Sequence, residues 1–528
     1  MPAQPRNSTA QATTGGVDDR DQRTRTVTGS GLAVAVVVAV VGLAVAGVGL
    51  AGAVETAQSP AQPAASNGTT PIVEEITVVR GDNESSVRAT IRYEIPPSVT
   101  ALVFSVESAD VEVLSTSGFD RRGDQTFNWT GADGGGAVTI SHPVDEGFYL
   151  DDRHPEPVGG GPEWTVVARP ETLTNWQFDG NDPGIEYALD HEGPGTAGRD
   201  LAYLGPHARY ETRAGAQRVT LVVPENSGPL AGPRAIQESL AMAASLNLSV
   251  GREGALVIAA PTRGARWAPT GLTVGSDARI SGSVAVAEPM NVWVHEYVHT
   301  QQHRTRLTPE TAWLAEGAAQ YYGALVNLRQ NVTGPAAFGE LLQRGVVEDV
   351  VLAEPVTWQK SGANYDKGAL VVAALDVAIR ERTDGRRSFA DVMRRWSGAE
   401  EFDAAAFERA LAAVADEEVA RLARNYTTTT AVPSVASPSQ YGAVFETDQP
   451  TPGTVDGPVT VEAGQDDPPP NGTANSSNAS SQTAPGGDSE GDGGFRLRHL
   501  GLIGCVAVVV AVALFVLDSL VARVRARR

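Results

Sequence analysis

The chain has 528 residues, with 63 acidic and 41 basic side chains and a formal net charge of −22. This length exceeds one domain and predicts two or three. An acidic chain lacks the basic patches that nucleic acids require, so we exclude a nucleic-acid partner. Lysine occurs only at positions 360 and 367, and this acidic, lysine-poor composition resembles that of proteins from salt-loving (halophilic) organisms. A single cysteine, Cys505, excludes an internal disulfide framework.

A long apolar run lies near the N-terminus. Leu32 to Val54 contains no charged residue and is long enough to cross a bilayer. The arginines before it, within residues 1–30, favour a cytoplasmic N-terminus. The run exceeds the usual core of a signal peptide, which favours an uncleaved anchor over residues 31–54; a cleaved signal sequence is the alternative.

A second apolar run covers residues 500–522 and is followed by an arginine-rich tail, residues 523–528. The excess of arginine in that tail predicts that it is cytoplasmic. We therefore expect a cell-membrane protein in contact with the lipid bilayer, with both termini cytoplasmic and the middle of the chain extracellular.

The first part of this middle region has the pattern of a β domain. A linker rich in Pro, Ala and Ser occupies residues 55–70. From residue 71, apolar and polar residues alternate in short runs, for example Val87 to Ile95 and Ala101 to Val106. Alternation with period two predicts half-buried strands. We predict an antiparallel β-sandwich over residues 71–208.

Helical and strand patterns then follow one another, which predicts an α+β domain over residues 209–426. Its elements are expected at 219–223 (strand), 235–246 (helix), 255–260 (strand), 271–280 (strand), 289 onward (helix), 309–396 (helices) and 402–422 (a final helix). The segment Leu272 to Arg279 is our candidate for the edge strand of the sheet in this domain.

Two histidines on the expected helix flank a glutamate in the run His295-Glu296-Tyr297-Val298-His299. Residues four apart lie on one face of a helix, so both imidazoles can reach one ion. Neutral imidazole is a ligand that Zn²⁺ prefers. Glu296, one step round the helix, is placed to take a proton from a water at the ion.

A second motif, Trp313-Leu314-Ala315-Glu316-Gly317, opens the next helix. Thr308 and Pro309 have the residue types of a helix N-cap and first turn. That helix can bring Glu316 to the ion as the third ligand. We therefore predict a Zn²⁺ site formed by His295, His299 and Glu316.

These two motifs together resemble the gluzincin metallopeptidases. A third segment, Tyr365-Asp366-Lys367-Gly368-Ala369-Leu370, is similar to the aminopeptidase branches of that clan, and especially to the glycyl aminopeptidase family. The resemblance implies a thermolysin-like, two-lobed catalytic domain preceded by a β domain. It also implies that Tyr365 donates a hydrogen bond to the oxyanion of the tetrahedral intermediate.

The chain departs from the family pattern at two places. Relatives that trim N-termini hold the substrate amine with an acidic residue upstream of the first motif, and here Glu288 is the candidate. It lies just before Pro289, where capping of the metal helix is the alternative role. Gln320 stands where thermolysin-like enzymes have an aspartate that supports a ligand histidine, so that support must come from elsewhere.

Residues 427–495 are rich in Pro, Gly, Ser, Thr and Asp. Such a composition buries too little apolar surface to fold, and predicts a disordered stalk. Acceptor triplets for N-glycosylation include those that begin at asparagines 67, 83, 128, 247, 331, 425, 471, 475 and 478. Three of them fall within the stalk, which we expect to be glycosylated.

The sequence thus predicts a membrane-anchored extracellular zinc metallopeptidase that acts on a peptide or protein substrate. His295, His299 and Glu316 bind the metal, Glu296 is the general base and Tyr365 stabilises the oxyanion. Two alternatives remain at this point: a catalytically inactive surface binding or envelope protein on a peptidase scaffold, and a zinc hydrolase of another amide or ester.

Overall fold

A computed structural model describes residues 23–29 and 70–461, apart from gaps at 82–85, 108–110, 132–133, 145–147, 150–157, 162, 226, 252–253, 263–266, 303–304, 360, 435–453, 456 and 458. Both apolar runs that the sequence predicts to cross a membrane lie outside these residues. Among the described helices, none combines the length and hydropathy needed to span a bilayer.

The first domain consists of short strands separated by turns. They are β1 (Arg23–Gly29), β2 (Ile72–Arg80), β3 (Ser86–Glu94), β4 (Val99–Val106), β5 (Glu112–Ser117), β6 (Phe119–Arg121), β7 (Thr126–Trp129), β8 (Gly135–Pro143), β9 (Phe148–Tyr149), β10 (Val158–Gly161), β11 (Trp164–Ala168), β12 (Thr172–Phe178), β13 (Ile185–His191), β14 (Gly195–Ala197) and β15 (Leu201–Leu204).

Two five-stranded sheets form the predicted sandwich, in the orders β1-β12-β4-β7-β6 and β13-β2-β3-β8-β5. Alternate residues of both sheets, among them Ile76, Ile91, Phe104 and Trp176, share one buried core. The pairing is antiparallel as predicted, except that β13 runs parallel to β2. A further four-stranded sheet has the order β10-β11-β15-β14.

Strand β1 differs from the sequence expectation. We assigned residues 1–30 to a separate N-terminal segment, whereas the structure pairs Arg23–Gly29 antiparallel with β12. The reason is that β12 would otherwise present an open edge, whose unpaired backbone groups accept another strand.

The second domain begins with an open sheet. The elements of this part of the domain are β16 (His207–Ala214), β17 (Gln217–Pro224), α1 (Pro233–Ser245), β18 (Gly254–Ala260), β19 (Trp267–Ala268), β20 (Gly271–Val274) and β21 (Asp277–Ser281). The strand order is β20-β21-β18-β17-β16, so β20 forms one edge.

The remaining elements are mainly helices. They are α2 (Val292–Gln302), β22 (Arg306–Leu307), α3 (Trp313–Arg329), α4 (Pro335–Gln343), a short 3₁₀ turn (Pro355–Thr357), α5 (Ala363–Arg382), α6 (Phe389–Ser397), β23 (Glu401–Phe402), α7 (Ala404–Val414), α8 (Glu417–Thr428), β24 (Thr454–Val455) and β25 (Val459–Val461). One large buried core joins the helices to the sheet.

Three predicted elements are corrected. The single strand expected over 271–280 is a hairpin, because Gly275 has a φ of 55° and turns the chain between β20 and β21. The helix expected over 402–422 is two helices, because Asp416 caps α8 with its side chain. The helix expected from Pro309 begins at Trp313.

The expected stalk is also corrected in part. Strands β24 and β25 lie within residues 427–495 and pair antiparallel with β16. Strand β16 is the end of the sheet, and its outer edge has backbone donors and acceptors that a valine-rich segment can satisfy. The rest of residues 435–495 lies outside the described residues.

The sheet of the second domain packs against the first domain through a separate buried cluster. Trp164 and Tyr203 come from the first domain, and Leu256, Leu272 and Val274 come from the sheet. This cluster packs on the face of β20 opposite α2. It thereby fixes the position of the edge strand relative to α2.

Candidate metal centre

Helix α2 presents both histidines to the same side. Asn291 precedes the helix and its Oδ1 accepts hydrogen bonds from the backbone N–H groups of Trp293 (3.1 Å) and Val294 (3.3 Å). Asn291 Nδ2 donates to Oδ1 of Asn327 on α3 at 3.1 Å. The cap therefore starts the helix and also ties it to the element that carries the third ligand.

The three predicted ligands converge. Nε2 of His295 and Nε2 of His299 are 3.0 Å apart. Oε2 of Glu316 lies 3.3 Å from the first nitrogen and 3.4 Å from the second. All three side chains are buried. Among the described residues, these three form a group whose ligand atoms all lie within 4.8 Å of one another and could hold one metal ion.

The triangle of donor atoms fits a zinc ion. Tetrahedral Zn²⁺ with bonds of about 2.0–2.1 Å separates its ligand atoms by roughly 3.3–3.4 Å. The observed edges of 3.0, 3.3 and 3.4 Å match that separation. Glu316 Oε2 is buried and has no hydrogen-bond partner among the described residues. Two imidazoles and one carboxylate are also the donor set of catalytic zinc sites, which keep a fourth position open.

The electrostatics of the site favour a cation between these groups. Burial alone would lower the pKa of His299, but the Glu316 carboxylate outweighs it and raises that pKa to about 9. Burial would raise the pKa of Glu316, but His299 and His295 lower it to about 2. The buried carboxylate thus favours a positive charge beside it, because an isolated buried carboxylate is costly.

One ligand histidine has a clear supporting partner. His299 Nδ1 lies 2.8 Å from Oε1 of Gln302, one turn further along α2, and Gln302 Nε2 donates to the Ala315 carbonyl at 3.2 Å. An Nδ1–H donated to Gln302 leaves the Nε2 lone pair facing the ion. Gln320 does not support a histidine, since its Nε2 donates to Oδ1 of Asp366 at 2.6 Å.

A close crossing of α3 and α5 brings Tyr365 to the site. A Cβ atom built on Gly317 would lie 2.7 Å from the Gly368 backbone, and one built on Gly368 would lie 2.8 Å from the Gly317 Cα. Both positions therefore require glycine. Glu316 and Tyr365 stand in the first turns of these two helices, so the contact sets their separation.

The hydroxyl of Tyr365 is suited to hydrogen-bond donation. Its ring is parallel to that of His295, at 4° with centroids 6.1 Å apart. Burial, followed by the nearby Glu316 charge, raises the pKa of Tyr365 well above its ordinary value. The hydroxyl is buried and has no hydrogen-bond partner among the described residues. It stays protonated and available to a substrate oxygen.

Glu296 points to the edge strand. Its carboxylate Oε2 accepts a hydrogen bond from Thr273 Oγ1 at 2.8 Å, and its Oε1 lies beside Gly271. Our sequence reasoning missed Thr273, Gly271 and Gln302. A Gly-x-Thr pair on alternate positions of an edge strand was the available signal for the first two, but no motif singles it out.

Glu288 does not cap α2, and its predicted contact with a substrate amine stays a prediction. Its side chain is exposed in the loop before α2, and its carbonyl accepts a hydrogen bond from Asn327 Nδ2 at 2.7 Å. The helix cap is Asn291, because its shorter amide side chain reaches the first free N–H groups.

Comparisons with known proteins give a similarity of structure. No protein-family model and no curated protein matches this chain. An M1 zinc metallopeptidase from Deinococcus radiodurans matches with 14% identity over 70% of this chain and 96% of that chain, with a TM-score of 0.44. A point mutant of this M1 zinc metallopeptidase, bound to a Tyr-Ser-Ala substrate, matches with 12% identity over the same shares and a TM-score of 0.42.

Aminopeptidase A from Legionella pneumophila, in complex with aspartic acid, matches with 12% identity over 69% of this chain and 49% of that chain, with a TM-score of 0.37. Similarity at this level does not assign the chain to a family. The function is therefore inferred from the site itself.

Proposed function

We propose that this protein is a zinc-dependent metallopeptidase. The observation that carries the proposal is the convergence of His295, His299 and Glu316 on one buried point, with donor separations that fit Zn²⁺. Glu296 lies between the two histidines in the chain. Tyr365 lies beside His295, with its ring parallel to the imidazole.

Each residue has a distinct role. When bound, the ion supplies a Lewis acid that polarises a carbonyl and acidifies a water. Glu296 takes a proton from the attacking water and later gives it to the leaving amine. Tyr365 donates its hydrogen bond to the oxygen that becomes negative as the carbonyl carbon is attacked.

The substrate is a peptide or protein. The edge strand β20 has its outer side unpaired among the described residues, and such an edge can bind an extended peptide as an added strand. The resemblance to the glycyl aminopeptidases rests on the segment from Tyr365 to Leu370. Glu288, exposed in the loop before α2, is the candidate that would hold the substrate amine in an aminopeptidase mode.

The test is hydrolysis of a peptide library by the full-length protein in high salt. We expect Glu296→Gln to lower kcat by about 10²–10⁴-fold with zinc content unchanged, since this is the usual contribution of a general base and Gln cannot accept the proton. Glu340→Gln, at an exposed position of α4, is the matched control and should keep the wild-type rate.

Equal activity of Glu296→Gln and wild type would overturn the assignment of the base. If the zinc-loaded wild type cleaves no peptide, the result favours a catalytically inactive surface binding or envelope protein. If it cleaves only esters or other amides, the result favours a zinc hydrolase of such a substrate. Elemental analysis that finds no bound zinc would overturn the metal site.

We further propose that the chain is anchored in the cell membrane with the catalytic domain outside. Support comes from the apolar run over residues 500–522 and the arginines that follow it. The run over residues 31–54 does not add to this support, because β1 precedes it and pairs with β12 of the first domain. Protease protection of epitope tags on intact cells tests this placement, and a tag beside residues 23–29 shows on which side of the membrane β1 lies. Full digestion of the catalytic domain only after lysis would contradict the proposal.

A further inference from the structure

Two residues of the edge strand face the glutamate of the zinc helix. Successive side chains of a strand point to opposite faces, so Gly271 and Thr273 share one face of β20. That face lies against α2. Thr273 Oγ1 is 2.8 Å from Glu296 Oε2 and 2.9 Å from the Glu296 backbone oxygen. The contact joins two elements that are 23 residues apart in the chain.

The two oxygens of the Glu296 carboxylate have different neighbours. Oε2 is held by the Thr273 hydroxyl, which stabilises the carboxylate as an acceptor of a charge-assisted hydrogen bond. Oε1 lies 2.3 Å from where a Cβ on Gly271 would stand. Because Gly271 has no Cβ, Oε1 has space beside the strand. One oxygen is held by a hydrogen bond and the other packs beside the glycine of the strand.

The strand that makes these contacts is itself held in place. Leu272 and Val274, on the opposite face, are buried in the cluster that joins the sheet to the first domain. Arg279 on β21 donates from Nη1 to the Pro269 carbonyl at 2.7 Å, just before β20 begins. A hydroxyl on a strand fixed in this way has a defined position relative to α2.

We propose that Thr273 is the positioning residue of Glu296: its hydroxyl holds Oε2, so that Oε1, beside Gly271, takes the proton of the attacking water. This inference deepens the proposed peptidase function and rests on it. Thr273 makes no contact with the reacting atoms in this role and acts through Glu296. A base that is displaced by about 1 Å can cost on the order of 100-fold in rate, so its orientation matters to catalysis.

The experiment compares Thr273→Val, Thr273→Ser and a control, Thr270→Val, in the full-length zinc-loaded protein. Valine has the shape of threonine without the hydroxyl, whereas serine keeps the hydroxyl. Thr270 is on the same hairpin and exposed. We expect Thr273→Val to lower kcat at least about tenfold with KM and zinc content unchanged. Thr273→Ser should restore kcat to within about threefold of wild type, and Thr270→Val should match wild type.

Two kinetic outcomes would overturn the inference. One is a wild-type kcat in Thr273→Val. The other is a loss that serine does not restore, or that appears in KM or zinc content, since either would assign Thr273 a structural role only. Absence of peptide hydrolysis in the wild-type protein would instead refute the proposed function.

Crystal structures of the three variants supply a measurement that does not depend on turnover. The Glu296 carboxylate should keep its position in Thr273→Ser and Thr270→Val, and should rotate away from β20 in Thr273→Val. An unmoved carboxylate in Thr273→Val would overturn the positioning role whether or not the protein hydrolyses peptides.

Discussion

Tyr365 and Tyr322 both have buried hydroxyls with no hydrogen-bond partner among the described residues. They differ in their surroundings. Tyr365 lies beside His295 and Glu316, whereas Tyr322 packs against Tyr321 inside the helical lobe. A buried hydroxyl without a hydrogen-bond partner destabilises the folded protein. A substrate oxygen that accepts its hydrogen bond would remove that cost and explain why the hydroxyl is present. The Tyr365 hydroxyl is the one beside the metal ligands, where a substrate oxygen would bind in the proposed reaction.

Tyr365→Phe should therefore lower kcat by about 10²–10³-fold, the usual effect of removing one oxyanion donor. KM and zinc content should change little, because the hydrogen bond strengthens only as charge develops on the substrate oxygen. Steady-state kinetics with a peptide substrate and zinc analysis measure this. Tyr322→Phe is the matched control and should keep wild-type kcat. Equal effects of the two variants would contradict the oxyanion role.

At the scale of elements, the helix crossing between α3 and α5 positions the site. Gly317 and Gly368 allow the two backbones to touch. Lys367 on the same turn is buried and donates from Nζ to the Val350 carbonyl at 2.6 Å. Gln320 and Asp366 add a hydrogen bond between the two helices. These contacts surround the first turns that carry Glu316 and Tyr365.

Gly317→Ala should destabilise the protein by about 1–3 kcal/mol, because the added methyl group overpacks the crossing. It should also lower kcat at least about tenfold, since it separates Glu316 from Tyr365. Denaturant unfolding and peptide kinetics measure the two effects.

Gly339→Ala is the control for that substitution. A Cβ at this position of α4 would meet no atom within 4 Å, so the variant should be up to about 1 kcal/mol more stable than wild type. If Gly317→Ala were as stable and active as Gly339→Ala, the crossing would not determine the geometry of the site.

At the scale of the whole molecule, two aspartates join the first domain to the catalytic sheet. Asp277 on β21 accepts hydrogen bonds from the backbone N–H groups of Asp200 (2.7 Å) and Leu201 (3.0 Å). Asp200 Oδ2 in turn accepts one from the Ser276 N–H at 2.7 Å. The exchange ties the β14–β15 turn to the hairpin that carries Thr273.

This interface should make stability depend on pH. Burial, together with the Asp200 charge, raises the pKa of Asp277 from 3.8 to about 7. Between pH 4 and 7 the unfolded chain releases this proton while the folded chain keeps it. The free energy of unfolding should therefore fall as pH rises through that window, by at most about 4 kcal/mol, and level off above it.

Asp200→Asn keeps an acceptor for Ser276 and removes the neighbouring charge. The pKa of Asp277 should then rise less, and the decline in stability between pH 4 and 7 should be shallower than in wild type. Denaturant titrations of both proteins at fixed salt give the difference between the two curves. Parallel curves would show that the two carboxylates do not interact.

Local pattern was sufficient where the relevant contacts are close in sequence. The alternation of apolar residues located the sandwich strands, and the four-residue spacing of His295 and His299 placed both ligands on one helix face. The hydrophobic pattern did not predict the boundary between two elements where a single residue ends the first one. Gly275 divides β20 from β21 and Asp416 divides α7 from α8, and neither interrupts the hydrophobic periodicity strongly.

The sequence by itself determined the kind of ligands and the pair of helices that bear them, because helical periodicity relates residues within one turn. Only the tertiary structure decided which distant groups hold the elements around the site. Thr273, Gln320 and Asp277 have hydrogen-bonding partners at sequence separations of 23, 46 and up to 77. Such contacts depend on the packing of whole elements, which no local spacing encodes.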